Sequence, residues 1–475
     1  MVKCSLTRRK NVTLSFKNNT YFMQRRVFLA LALCVASAFC AENNKLAAQV
    51  AFSGNTLPVY SEKPAASTGL NEIFVLNSCD GVSMSYTAKN AQANVVWYKY
   101  GSQGGGFAEV IDGVTRNGAV TTLAGIIPNS GYIIEEGTDR TYLWVINYRD
   151  YYLDLDAMTF AAEQDCGTVM INVAGSGADM TYYTINGVPK KFNREMRLTY
   201  HSLSWDVEQK QWKDEIVEES FDVFKPVISV PAPYCNTSFT LSGDKLLRFW
   251  GEEMSVESDT YVTNAVAVEA EAIQEARENS NEKKTDSGDA MGGSAPVTIT
   301  FSAYCTDAVI HKEWQMSRDV EFNNIERRMN EEEVVETFNE AGTYYWRFIG
   351  SNNTGDCSSE SATYTVNIGT SSIECPNVFS PQSTEGVNDE WKVSYKSIVE
   401  FKCWIFNRWG IQVCELTDPS QGWDGRYKGK YVKSGTYYYV IQARGADGQD
   451  YNLRGDINII NYKNTGSSNS GNTTE

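Results

Sequence analysis

Histidine is nearly absent. His201 and His311 are the two in 475 residues, and neither stands in a motif with a nucleophile or a second metal ligand. The chain also lacks His-Glu-x-x-His, Gly-x-Ser-x-Gly, a phosphate-binding glycine loop and any Cys-x-x-Cys. Zinc proteolysis, serine hydrolysis, nucleotide phosphate binding and structural zinc sites therefore lack the residues they need. Basic residues are outnumbered 42 to 59, for a net charge of −17. That balance excludes a nucleic-acid binder with a basic face, and electrostatic docking on anionic lipid. Long apolar runs are missing with one exception, Val27–Ala41. It is shorter than the ~20 residues of a membrane span, and it follows Arg25 and Arg26 as the apolar core of a secretory signal does. Met23 is a second candidate initiator, so residues 1–48 read as an upstream extension plus signal peptide, with cleavage expected after Cys40 or Ala48. No later segment is apolar enough for a helical span. Removing 1–48 takes away eight Lys or Arg and one Glu, leaving a more acidic chain.

What is present is strand. "NVVWYKY", "TYLWVINY", "GTVMINV", "VTITFSAY", "GTYYWRFIG" and "GTYYYVIQA" are short, aromatic and β-branched, with Gly, Asn, Asp and Ser between them. Such spacing predicts an all-β chain of tandem immunoglobulin-like sandwiches. The expected units are 71–162, a smaller one at 163–230, a third at 231–370, a fourth at 371–463 and a disordered tail at 464–475. Within the third, the polar stretch near 271–295 reads as a disordered surface insertion. Eight cysteines follow residue 48, an even number that suits disulfides in an exported chain. Cys305 and Cys357 sit where two strands can face each other and form a candidate pair. In "FKCWIFNRWGIQVCE", two strands flank Asn407-Arg408-Trp409-Gly410. A three-residue bulged loop would pair Asn407 with Ile411 and set Trp404 opposite Cys414. A four-residue loop would set Cys403 opposite Cys414, within disulfide reach. The Asn-x-x-Gly spacing fits the first better.

Two stretches resemble known families. "TFNEAGTYYWRFIGSNNTGDCSSESATYTVNI" is similar to the closing half of a polycystic-kidney-disease-type (PKD-like) immunoglobulin sandwich. Further on, "PNVFSP", "GVNDEW", "IFNRWG", "WDG", "SGTYYYVI" and "GDINII" occur in that order between Pro376 and Ile460. Together they resemble the gliding-motility-associated C-terminal domain family, the type B sorting signal of the type IX secretion system of Bacteroidetes. The resemblance implies a small antiparallel β-sandwich and export to the periplasm. Passage through the outer-membrane translocon then leads to the cell surface or the medium, often with a barrel-associated outer-membrane partner. The motif residues are Asn388, Asp389, Asn407, Arg408, Trp409, Gly410, Trp423, Asp424, Gly425 and Gly435. Where the family often has Asn-Gly-Asp-Gly, this chain has Ser383-Thr384-Glu385-Gly386, which weakens the case for a calcium loop.

Two roles fit Arg408 and Trp409. They are the residue types that dominate recognition surfaces. Alternatively, Trp409 folds back over Trp423 to cap a small core and Arg408 bonds nearby carbonyls. Upstream, Asp154 and Asp156 share one strand face, as paired carboxylates for calcium or glycoside cleavage would. The aromatic runs "WYKY" and "YRDYY" offer a sugar-stacking surface or ordinary core. The reading that follows is a non-enzymatic, exported, modular surface protein that needs no cofactor or metal. Its upstream domains bind an unknown surface ligand as an adhesin. The alternative is a secreted carboxylate-dependent hydrolase with the same sorting domain.

Overall fold

The computed structural model describes residues 49–284, 290–381 and 386–460. The expected upstream extension with its signal peptide and the polar tail lie outside them. The described chain is a series of β-sandwiches, as the strand spacing predicts.

The first sandwich sets a four-stranded sheet, including Ser83–Thr87 and Val120–Ala124, against a six-stranded one. Three strands of the larger sheet carry consecutive apolar residues on both faces through their middle. Along Glu72–Leu76 all five residues are buried. Phe74 and Leu76 face the first core, while Ile73 and Val75 face a second. Ser130–Glu136 and Asp139–Asn147 divide in the same way: Tyr132, Ile134, Leu143 and Val145 point one way, Ile133, Trp144 and Ile146 the other. A sheet covered on both faces needs no polar alternation.

What covers the second face is the next sandwich. Its three-stranded sheet is Leu153–Phe160, Thr168–Gly177 and Val227–Pro231. Its four-stranded sheet is Gln211–Phe221, Met196–Asp206, Phe239–Gly243 and Met254–Glu257. These pairings correct the expected boundaries. The break placed after Ala162 falls within a hairpin, because Leu153–Phe160 pairs with Thr168–Gly177. The break after Val230 cuts off Phe239–Gly243 and Met254–Glu257, which complete the sheet. Turn residues mark a chain reversal equally well inside a domain and between domains, so the sequence did not separate the two.

The third sandwich packs Val268–Gln274, Val297–Cys305 and Glu333–Phe338 against a sheet built on Gly342–Ser351. Phe301 stacks on Trp346 at 4.3 Å, beside Trp314 and Phe348, all fully buried. Fully burying one such side chain contributes roughly 1.5–3 kcal/mol. The disordered insertion expected near 271–295 is largely ordered. Glu271–Gln274 continue a strand paired with Ile299–Ser302, and Met291–Gly293 pair in parallel with Val366–Ile368. The Gln274 amide ties the two ends together, accepting from Gly292 N at 2.7 Å and donating to its carbonyl at 2.9 Å. Residues 285–289 lie outside the described set. Between the two strands, the polar residues Asn279, Asn281 and Lys283 find hydrogen-bonding partners in the fourth unit.

The expected Cys305–Cys357 pair is also corrected. Cys357 bonds Cys166, with 5.5 Å between their Cα atoms and 191 residues between them in sequence. Cys305 is free. Cys166 lies in the hairpin loop of the second sandwich and Cys357 in a loop of the third, so the bridge joins two units. Spacing within one sandwich carries no sign of such a contact.

The fourth unit has a five-stranded sheet in the order Val378–Phe379, Asp450–Ile459, Gly435–Gly445, Ile398–Phe406 and Gln412–Leu416. Two short ribbons, Ser372–Glu374 with Ser394–Lys396 and Arg426–Tyr427 with Lys430–Tyr431, accompany it. Its core gathers Trp391, Val393, Cys403, Ile405, Trp423, Ile441 and Ile457. Three thiols share that core, and burial, then the neighbouring Cys375 and Cys414, pushes Cys403 up to about 12.

Candidate functional site: a hairpin tip and the sheet face behind it

Ile398–Phe406 and Gln412–Leu416 form the hairpin that carries Arg408 and Trp409. Asn407 N donates to Ile411 O at 2.9 Å and Gly410 N to Asn407 O at 3.0 Å, which is the three-residue bulged loop. Gly410 sits at φ +79°, where a side chain would be strained. The Asn407 side chain holds the loop from within, its Oδ1 accepting from Trp409 N and Ile411 N, both at 3.0 Å. A further bulge follows, so that Phe406 pairs with Gln412 but Ile405 with Cys414. Trp404 consequently faces Glu415 rather than Cys414, Cys403 faces Leu416, and both cysteines remain free.

The tip points outward. Trp409 is 71% exposed, and the Arg408 guanidinium lies 4.3 Å from the centre of its ring. The fold-back of Trp409 onto Trp423 does not occur: Trp423 is filled in from other directions, by Phe379 at 5.5 Å and Tyr437 at 5.3 Å. Arg408 has no ion-pair partner among the described residues. Its charge is felt by Tyr437, whose hydroxyl burial pushes up while Arg408 pulls it down.

The remaining motif residues are brought together elsewhere. Trp391 and Trp423 exchange backbone hydrogen bonds at 2.8 and 2.9 Å, and their indole N–H groups donate to Pro376 O and Arg426 O. Asp424 accepts from Arg426 N at 3.0 Å. Gly425 is at φ +76°, and a Cβ there would lie 3.1 Å from Pro381. Asn388, at φ +55°, accepts from Ser380 N, and Asp389 accepts from Gly386 N at 2.6 Å. Gly435, at φ +149°, opens the strand Gly435–Gly445 and has open space where a side chain would be. This second group fixes the entry segment against the sheet; the Asn407–Gly410 group presents a surface.

The sequence reading missed one part of that surface. Phe406 pairs with Tyr438 and Trp404 with Val440, on the face of the sheet opposite the core. Tyr438 and Val440 are 47% and 39% exposed. Phe406 immediately precedes Asn407, so this apolar sheet face leads toward the tip, where Ile411 and Trp409 are also exposed. The signal was available: "YYYVI" is apolar at both strand parities, while one face suffices for the core.

Upstream, Trp97, Tyr100 and Tyr148 are buried, so most of the aromatic runs are core and not a sugar platform. Asp154 and Asp156 are both exposed on Leu153–Phe160, with a bulge at Asp156. His201 Nδ1 lies 2.9 Å from Asp214 on an exposed hairpin, and His311 Nε2 lies 3.1 Å from Asn353 O. No group of three or more His, Cys, Asp or Glu that would hold a metal occurs among the described residues. No described helix is long and apolar enough to cross a membrane.

Residues 373–459 match the CHU_C type IX secretion signal domain, which bears out the C-terminal resemblance. Residues 158–258 match a fibronectin type III domain. That match covers the second sandwich as its sheets define it, upstream of the stretch with the PKD-like cadence. No curated protein matches the chain. Among solved structures, a tetra-tandem repeat in the extending region of a large adhesion protein aligns at 9% identity over 81% of this chain and 96% of that one, with a TM-score of 0.21. Dimeric latent PorU from Porphyromonas gingivalis aligns at 8% identity over 69% of this chain and 36% of that one, with a TM-score of 0.15. The ectodomain of mouse nectin-like molecule 4 aligns at 10% identity over 62% and 96%, with a TM-score of 0.20. The type IX signal domain implies export to the cell surface or the medium and handling by the type IX machinery.

Proposed function

We propose that the sheet face of Tyr438 and Val440 and the tip at Trp409 together are the surface by which the type IX translocon holds this protein. A barrel-associated outer-membrane protein then takes over the same surface. The upstream sandwiches bind a ligand outside the cell, as an adhesin does, without catalysing a reaction. The observation that carries the reading is the tip itself. A large indole stands 71% exposed on a loop braced by Asn407, with an arginine stacked on it. A rigid aromatic with a guanidinium fork is the usual composition of an interface hot spot, worth about 2 kcal/mol or more on truncation. A tip that contributes little to its own core is free to serve the same role whatever cargo precedes it. For the upstream units, the support is the fibronectin type III match and exposed apolar loop residues such as Phe107, at 71%.

The test is Arg408→Ala with Trp409→Ala in a host that has the secretion system. The variant is expected to fold as the parent does, by near-UV circular dichroism, and to accumulate inside the outer membrane. Export at the parental yield would remove the tip from recognition.

A further inference from the structure

The third and fourth units are joined covalently by three residues, 369–371, between strands Tyr364–Ile368 and Ser372–Glu374. A second connection runs beside them. After Val268–Gln274 the chain leaves its own sheet and lies along the edge of the fourth unit. Tyr395 N donates to Asn281 O at 3.1 Å and Lys283 N to Tyr395 O at 2.7 Å, so Glu282 is bridged in parallel to Tyr395. The Asn281 amide donates to both Val393 O and Pro419 O at 2.8 Å. Asn279 donates to the Tyr395 hydroxyl at 2.9 Å, and Lys283 pairs with Glu374 at 2.5 Å. At its root this strap is pinned to the third unit by Arg277, which donates to Ser294 O and Pro296 O and pairs with Glu282.

The neighbouring contact is of the same kind. Ser397 N donates to Ser294 Oγ at 2.7 Å, and Ala295 N to Ser397 Oγ at 3.2 Å. Ala341 N donates to Ala446 O at 2.9 Å, and Ala446 and Val399 pack into the third unit's core. Ser397 is fully buried at φ +51°, a conformation that requires surroundings to hold it.

We propose that residues 279–283 are a donated strand by which the third sandwich grips the C-terminal unit, and that this grip keeps the two together after the chain between them is cut. Adding an extended segment to an open strand edge is an established mode of peptide recognition. The main chain supplies the binding and the side chains supply the selectivity. Here the strap satisfies the Tyr395 edge of the short ribbon, and the twin bonds of Asn281 set its register. The C-terminal unit is thus a docked neighbour with a second, non-covalent attachment rather than a tag on a tether. The inference does not rest on the export reading.

The experiment replaces Thr370 in the otherwise intact chain with a site-specific protease sequence, cuts it, and examines the product by size-exclusion chromatography. The two pieces are expected to elute as one species, and hydrogen exchange at the Lys283 and Tyr395 amides is expected to stay as slow as before cutting. The variant Asn279→Ala, Asn281→Ala, Lys283→Ala, cut in the same way, is expected to give two peaks. Separation of the parental pieces overturns the proposal, as does fast exchange at those two amides in the cut parent, or co-elution of the cut triple variant. The parental exchange measurement decides the matter even if the triple variant does not fold.

Discussion

Arg194 and Asp244 meet 2.8 Å apart with neither side chain exposed. They sit where the first two sandwiches share their core. Arg194 also donates to the carbonyls of Tyr151 and Ala178 at 2.8 Å, and Tyr148 donates to the Asp244 carboxylate at 3.2 Å. Asp244 caps the helix Lys245–Trp250, accepting from Leu246 N and Leu247 N. Every charge-bearing atom is matched, which is the condition under which a buried pair is tolerated at all.

Removing one partner strands the other. Asp244→Ala is expected to cost about 3–5 kcal/mol, from the orphaned guanidinium together with the lost cap. The double variant Arg194→Met, Asp244→Ala should cost less than Asp244→Ala alone, because no charge is left uncompensated. Urea denaturation followed by tryptophan fluorescence distinguishes the two. A double variant at least as damaged as the single one would show that shape, and not charge, is what the pair supplies.

At the hairpin tip, structure and recognition should separate. Asn407→Ala removes two backbone-directed hydrogen bonds and is expected to destabilise the fourth unit by about 1–2 kcal/mol. Trp409→Ala touches nothing buried and should change stability by under about 0.5 kcal/mol. Thermal unfolding of the two variants is the measurement, and equal losses would place Trp409 in the fold.

The inter-unit disulfide should be the one found by peptide mapping without reduction, linking the peptides that contain Cys166 and Cys357. Cys305 is expected to alkylate as a free thiol after denaturation. Cys166→Ser should lower stability by about 2–5 kcal/mol. It should also raise hydrogen exchange along both loops.

The second and third sandwiches meet again at Glu271, which accepts from Lys210 at 2.6 Å and from the Tyr304 hydroxyl at 2.7 Å. Those two bonds, Lys210 first, hold its carboxyl below the usual range against a smaller opposing effect of burial. A carboxylate with a lowered folded pKa adds stability that is present above its unfolded value of about 4.3 and is lost as the pH falls through the folded one. The contact is therefore expected to persist from neutral pH down to about 4 and loosen below it. Hydrogen exchange near Trp212, whose indole donates to Tyr304 O, reports this. In Glu271→Gln that acid-dependent step should vanish.

Several of these features were legible in the sequence and several were not, for reasons that differ by residue. Period-two alternation along "VTITFSAY" identified a strand correctly because one face meets core and the other water. The bulged turn at Asn407–Gly410 was readable because a left-handed glycine and an Asn that bonds forward are properties of four adjacent residues. The second bulge, which moves Cys414 out of line with Cys403, was not, since it depends on how Gln412–Leu416 settles against its partner. Nor was the order in residues 271–284: the strap looks like a loop in isolation, because what satisfies its backbone lies more than a hundred residues away.

By itself, then, the sequence determined what local chemistry decides: the all-β class, the turns, the acidic surface, and the C-terminal motif set with its tip residues. Only the tertiary structure decided which cysteines meet, where one sandwich ends and the next begins, and that the fourth unit is gripped by the third. Those outcomes depend on contacts between distant segments. Such contacts are fixed by the shape of packed surfaces, and no spacing along the chain records them.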